Sequence, residues 1–296
     1  MRIVPTAIGI SSSTTATTNR LACSSSAAAA AAAISTSWTP RRILFLRHGQ
    51  AMHNPRAEAA KQSGCSFSQF LQLMKEDDVF DAPLTDLGKE QAQQILVAHN
   101  STELGKKLSS LDAVIASPLT RAIHTADLVI ENVVPSNSTT TTATAIRRIS
   151  MEHFREINGL LLNAKRLPKK DLCDRYGDRW DFSLLQSETD ESWTPHALED
   201  PRECANRAYE GLLWIGSQPL KSTLVVTHGG LLSHILSGKH HPNIQLQDGR
   251  SPTHRTKRPI SARFANAEIR EFELQFSFQD PYDDQPNITL VDVTNF

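Results

Sequence analysis

What the chain has little of narrows the field first. No apolar run approaches the roughly 20 residues that a membrane-spanning helix needs, so no membrane partner is expected. The four cysteines, Cys23, Cys65, Cys173 and Cys204, lie far apart without a CxxC pair. That spacing suggests neither a zinc knuckle nor a disulfide framework, and a reducing compartment is the simpler reading. A formal net charge of -1 is not the strongly basic balance that gripping a phosphate backbone requires, so no nucleic-acid partner is expected and any anion site must be local. Acidic residues are missing from the first 57 positions altogether, Glu58 being the first.

That acid-free stretch differs from all that follows. Residues 1–39 are rich in Ser, Thr and Ala, include the unbroken run Ala27 to Ala33, and carry Arg2 and Arg20. Two readings stand. A basic, hydroxyl-rich, acid-free leader suits a transit peptide to a plastid or mitochondrion, and a disordered low-complexity tail on a cytoplasmic protein has the same composition.

What remains is ordinary for a globular protein with a sizeable core: 39% hydrophobic and 21% charged over 296 residues. Three apolar runs stand out by where they stop. Ile43 to Leu46 runs into Arg47-His48-Gly49, Ala113 to Ala116 into Ser117 and then Arg121, and Leu224 to Thr227 into His228-Gly229-Gly230. As parallel strands of one buried sheet they would bring two His and two Arg to a single crevice at their carboxyl ends, a set suited to a phosphate monoester. Small residues at each turn would let backbone amides approach an anion.

Between these runs the pattern alternates. Gln50 to Asp81 reads as a long loop with one short helix over Phe67 to Met74, able to overhang the site. Thr85 offers a helix cap before apolar positions spaced up to Asn100, and Leu119 to Glu131 forms a helix with Ala122, Ile123, Ala126 and Ile130 inward. Helices are expected over Cys204 to Ile215 and Leu231 to Leu236, and Asn266 to Phe276 alternates like a last, edge strand. The expected fold class is α/β: a single three-layer domain over residues 40–277, mostly parallel sheet with helices on both faces, followed by a C-terminal tail over 278–296.

Leu46-Arg47-His48-Gly49-Gln50, with Asn54 shortly after, resembles the RHG signature of the histidine phosphatase superfamily, also called the phosphoglycerate mutase-like family. Asp81 to Gly88 is similar to its LTxxG segment, Ser117 to Ala126 to its SPLxRAxxTA segment, and Val225 to Gly230 to its VTHGG segment. The form Phe80 to Leu84 resembles a broad plant, fungal and algal group within it. The likeness covers residues 41 to 275 and is specific because the pieces occur together and in order.

The resemblance implies a phosphoglycerate mutase-like fold and phosphoryl transfer through a phosphohistidine. His48 would be the nucleophile, Arg47 and Arg121 would clamp phosphate oxygens with forked donors, and His228 would donate as an imidazolium beside the bound anion. Asn54 and the Gly229 turn would complete the phosphate contacts, with Thr85 nearby. Phe154 to Ile157 is similar to the family's LREI-like segment, which points to Glu156 as general acid, with Glu152 as the alternative. Either Glu could instead pair with Arg147, Arg148 or Arg155. Four such donors make a metal unnecessary, and no cofactor is called for. The activity implied is hydrolysis of a small-molecule phosphomonoester, with a phosphoglycerate-type mutase or a phospho-ligand binding protein as alternatives. Arg250, Arg255, Lys257, Arg258 and Arg263 offer either a basic rim for a multiply phosphorylated substrate or a solvated loop, and Trp180, Trp193 and Trp214 fit the core or a lid.

Overall fold

The computed structural model describes residues 39–97, 102–131, 146–252, 263–278 and 285–295. The leader, Asn100 and the stretch from Arg255 to Arg258 lie outside the described residues.

Burial explains the strands. In β1 (Arg41–Arg47) the residues Ile43 to Leu46 are fully buried, so the strand is apolar on both faces rather than alternating. It lies mid-sheet, parallel to β4 (Ser222–Thr227) on one side and antiparallel to β6 (Ile269–Ser277) on the other. Beyond β4 come β2 (Ala113–Ala116) and β3 (Arg147–Ser150), and beyond β6 come β7 (Asn287–Asp292) and β5 (Ile244–Asp248). The seven-stranded order is β3-β2-β4-β1-β6-β7-β5, with four parallel and two antiparallel pairings. The sheet is therefore mixed but mostly parallel, as expected.

Two expectations are corrected here. Residues 269–277 are not an edge strand, because β6 is paired on both sides and its first four residues are buried. Nor is 278–296 a tail, since β7 lies within the sheet between β6 and β5. The alternation that suggested an edge comes only from its half-exposed end, from Glu273 onward.

Helices cover both faces. Between β1 and β2 lie α1 (Pro55–Gln62), α2 (Phe67–Glu76), α3 (Asp86–Val97) and α4 (Glu103–Ser109). Next come α5 (Thr120–Glu131), α6 (Lys169–Tyr176), α7 (Pro201–Ser217) and α8 (Gly229–Ile235). On one face Leu44, Leu46, Val114, Leu224 and Val226 pack with Leu104, Leu108, Ile123 and Val129. On the other, Ile43, Phe45, Ile115 and Val225 pack with Leu212, Ile215, Leu231 and Ile235. Neighbouring residues of each strand thus enter opposite cores, and truncating one of these leucines to Ala should cost about 2–5 kcal/mol.

The caps follow from sequence chemistry. Ser66 and Gln69 form a reciprocal capping box at α2, and Gly88 N–H donates to Thr85 Oγ1 at 3.0 Å at the start of α3. The inward stripe expected on α5 is buried. The loop expected over Gln50 to Asp81 contains a second helix, α1, which begins with Pro55 in its first turn and buries Ala57. Among the described residues no helix is long and apolar enough to cross a membrane.

Candidate active site

Because β1 and β4 are adjacent with Arg47 opposite Thr227, the residues that follow each strand meet. The His48 and His228 rings lie with centroids 4.9 Å apart. β2 is followed by Ser117, whose Oγ accepts from Leu119 N–H at 3.3 Å, and α5 begins so that Arg121 in its first turn reaches the same crevice. His48, Arg121 and His228 are all buried. Gly49, after His48, lies too close to Gly88 for any side chain, and its N–H is held by Thr125 Oγ1 at 3.1 Å.

The histidine tautomer can be assigned. Gly49 O lies 2.6 Å from His48 Nδ1, and a carbonyl can only accept, so Nδ1 carries the proton and Nε2 carries the lone pair. Arg121 Nε donates to that Nε2 at 3.3 Å. Burial first, then the Arg121 and Arg47 guanidiniums, hold the His48 pKa well below the usual imidazole range. Burial and Arg121 do the same to His228, which is thus neutral before an anion enters rather than already an imidazolium. Desolvation brings Arg121 down to about 10, which leaves it charged at neutral pH.

Several polar nitrogens in this crevice lack partners among the described residues. Arg47 Nε, Arg121 Nη2, His53 Nδ1 and both ring nitrogens of His228 are buried without a hydrogen bond. An unsatisfied buried polar group costs about 1–3 kcal/mol, so a concentration of them marks a site built for an acceptor.

The two arginines differ in what they offer. Arg121 gives Nη1 to Asn163 O at 2.6 Å and keeps its Nε and Nη2 edge toward the crevice, which preserves a fork. Arg47 gives Nη1 to Phe264 O at 2.9 Å and Nη2 to an ion pair with Glu58. Among the described residues Nε is the one Arg47 nitrogen without a partner, so part of the expected fork is already engaged by the protein. Gly229 makes room for this arginine, since a Cβ there would sit 3.1 Å from Arg47 Nε.

Glu156 and Glu152 separate clearly. Glu156 Oε1 accepts from Ile157 N–H at 2.9 Å and Leu231 N–H at 3.1 Å, while Oε2 has one long contact, to Gly230 N–H at 3.4 Å. The Glu156 carboxyl group caps α8, whose first residue follows His228. Glu152 instead bonds Arg166 at 2.5 Å and Arg155 at 3.0 Å, in a network that includes Asp190. The pairing considered for either glutamate belongs to Glu152 alone.

Other expected residues have structural partners. Asn54 is buried, and its Oδ1 accepts from Ala51 N–H at 2.9 Å, closing the turn after Gln50. Thr85 caps α3 and donates to Gln50 Oε1 at 3.0 Å. Arg250 does not belong to a basic rim: it is buried and pairs with Asp248 at 3.0 Å, at the end of β5 on the far edge of the sheet. Trp180 is buried and donates to Asp127 at 2.9 Å, Trp214 packs against a core, and Trp193 donates to Leu161 O at 2.9 Å with Lys165 over its ring. Among the described residues no group of three His, Cys, Asp or Glu stands together as a metal-holding set.

Sequence reasoning missed four contributors. His53 is buried within 6.4 Å of the His48 ring, and Glu58 pairs with Arg47. Asp81 accepts from Thr120 N–H at 2.9 Å and from Thr120 Oγ1, fixing the start of the helix that carries Arg121. Burial pushes the Asp81 carboxyl up to about 6. Asp78 accepts from Leu162 and Asn163 N–H at 2.7 and 2.8 Å and thereby holds the carbonyl that Arg121 uses. His53 left a signal in the sequence, a histidine five residues after His48.

A family model described as histidine phosphatase superfamily (branch 1) matches residues 75–258. Phosphoglycerate mutase-like protein 1 of Arabidopsis thaliana is 29% identical over 250 residues, covering 78% of this chain and 79% of that protein. Phosphoglycerate mutase-like protein 2 of the same plant is 25% identical over 275 residues, covering 79% and 74%. Among solved structures, a mycobacterial glucosyl-3-phosphoglycerate phosphatase is similar with a TM-score of 0.43 at 20% identity, over 86% of this chain and 100% of that one. The alpha-ribazole phosphatase from Shigella flexneri is similar with a TM-score of 0.41 at 17% identity, over 86% and 96%.

Proposed function

The chain belongs to the histidine phosphatase superfamily, and on that footing we propose that it hydrolyses small phosphomonoesters through a phosphohistidine on His48, without a metal. The observation that carries the reading is His48 itself: its Nδ1 proton is committed to Gly49 O, and its Nε2 lone pair faces Arg121 among unpartnered buried donors.

In the first step Nε2 attacks phosphorus while the bond from phosphorus to the alcohol oxygen breaks in line. Arg121, Arg47 Nε and His228 surround the equatorial oxygens, and their charge replaces what a metal would supply. His228 takes up a proton as the dianion arrives, because the anion's charge favours the imidazolium and opposes that of Arg121. Gly229 lets Arg47 approach, and Asn54, whose Oδ1 is used by the backbone, offers its amide nitrogen. The departing oxygen receives a proton from Glu156, through the lightly held Oε2. Glutamate then takes a proton from water, the water oxygen attacks phosphorus, and the bond to Nε2 breaks. Inorganic phosphate leaves and the neutral ring is restored.

The mutase-like names of the relatives mark the alternative, in which the phosphoryl group passes to a second hydroxyl instead of water. One experiment separates the two: phosphate release from a panel including 3-phosphoglycerate, sugar phosphates and an aryl phosphate, for the wild type and His48→Ala. The hydrolase reading expects release that is lost in the variant. Transfer to a second hydroxyl without release would overturn it.

A further inference from the structure

Between Ala51 and Asn54 the chain inverts the usual preference: Met52 is 50% exposed, whereas His53 beside it is only 3% exposed. The turn is not free to do otherwise. Asn54 N–H donates to Ala51 O and Ala51 N–H to Asn54 Oδ1, both at 2.9 Å, while Met52 N–H donates to Pro83 O at 3.0 Å. These bonds fix the turn so that the imidazole goes inward.

What it meets inside is the anion crevice. The His53 ring centroid is 6.4 Å from that of His48, and its Nδ1 is buried without a partner among the described residues. Arg121 and Arg47 both bear on it electrostatically, and it bears in turn on His48 and His228. A buried histidine that served packing alone would be expected to have its ring nitrogens satisfied.

We infer that His53 is a further ligand of the phosphoryl group, donating to an oxygen of the bound phosphate beside Arg47 and Arg121. The inference rests on the anion-binding role of the crevice proposed above and adds a residue to it. Burial and the two guanidiniums hold the ring neutral in the empty crevice. A bound dianion opposes the charges of Arg121 and Arg47, so His53 takes up a proton when phosphate enters.

Inorganic phosphate is the probe, titrated by calorimetry into the full chain at neutral pH in two buffers of different ionisation enthalpy. His53→Ala should bind phosphate at least about tenfold more weakly, since a hydrogen bond to a charged group is lost, and should take up fewer protons than the wild type. His53→Gln, which keeps an amide donor, should recover most of the affinity but not the proton uptake. Thermal melts of both variants establish that they fold. Binding by folded His53→Ala within about twofold of the wild type would overturn the inference, even if hydrolysis through His48 had been established. Phosphate binding that depends on His53, in a chain that releases no phosphate from esters, would uphold the inference while the hydrolase reading fell. No phosphate binding by the wild type would overturn both.

Discussion

Arg121 Nε lies 3.3 Å from His48 Nε2, so the nitrogen that would attack phosphorus touches the cation that would hold phosphorus's oxygens. The contact spans two separate strand ends. Its precision depends on Asp81 at the start of α5, and on Asp78 through the Asn163 carbonyl. The Arg121 charge and the His48 ring are positioned by one set of hydrogen bonds.

Arg121→Lys should therefore be severe although it keeps the charge. A single ammonium cannot reach Asn163 O, His48 Nε2 and a phosphate oxygen together. The expected loss in kcat/KM is about 100-fold or more, comparable to losing one preorganised donor. A loss under about threefold would show that charge alone matters here.

Glu156→Gln should discriminate among leaving groups. Alkyl phosphates, which need the proton, should slow by about 100- to 10,000-fold, whereas aryl phosphates should slow far less. The amide oxygen still accepts from the α8 backbone, so the fold is preserved. Equal losses on both substrates would take the acid role away from Glu156.

Asp81 gives a stability signature. Its folded pKa of about 6 lies above the ordinary 3.8, so between these values the folded state holds a proton that the unfolded chain has released. Its contribution is fully present below about pH 4 and is lost as pH rises through 6. The wild type should gain stability relative to Asp81→Asn on acidification from pH 6 to 4, by on the order of 2–3 kcal/mol. Melts of both proteins across that window check this, and a constant difference would refute it.

The buried histidines act in the opposite sense. His48, His53 and His228 have folded pKa values well below 6.5, so the unfolded chain binds protons first as pH falls. Stability from keeping them neutral is complete above about pH 6.5 and is lost progressively below it. Saturating phosphate should lessen that loss, because it favours protonation within the folded site. An acid sensitivity unaffected by phosphate would mean that the anion binds elsewhere.

Much of this was legible in the sequence because the strands are buried on both faces. Continuous apolar runs at Ile43, Ala113 and Leu224 can hardly be misread, and each ends at the residue it delivers. Thr85 and the α5 stripe were legible for similarly local reasons. The roles of Asp78 and Asp81 were not, since an aspartate that bonds backbone across the fold has no local pattern. Arg250 looked like part of a basic run although its shorter ion pair is to Asp248, two residues before it, because nothing local shows that the pair is buried and that Asp292, 42 residues on, is joined to it through the sheet. The tail reading of 278–296 failed likewise, because a strand that joins β6 to β5 within the sheet is known only by its partners.

The most direct test of the account is to trap the covalent intermediate. Wild type and His48→Ala are mixed with a radiolabelled phosphomonoester, quenched in alkaline denaturant and examined for protein-bound label that is stable to base and released by acid. Label on the wild type that is absent from His48→Ala is the expected result. Acid-labile label persisting in His48→Ala would contradict the account.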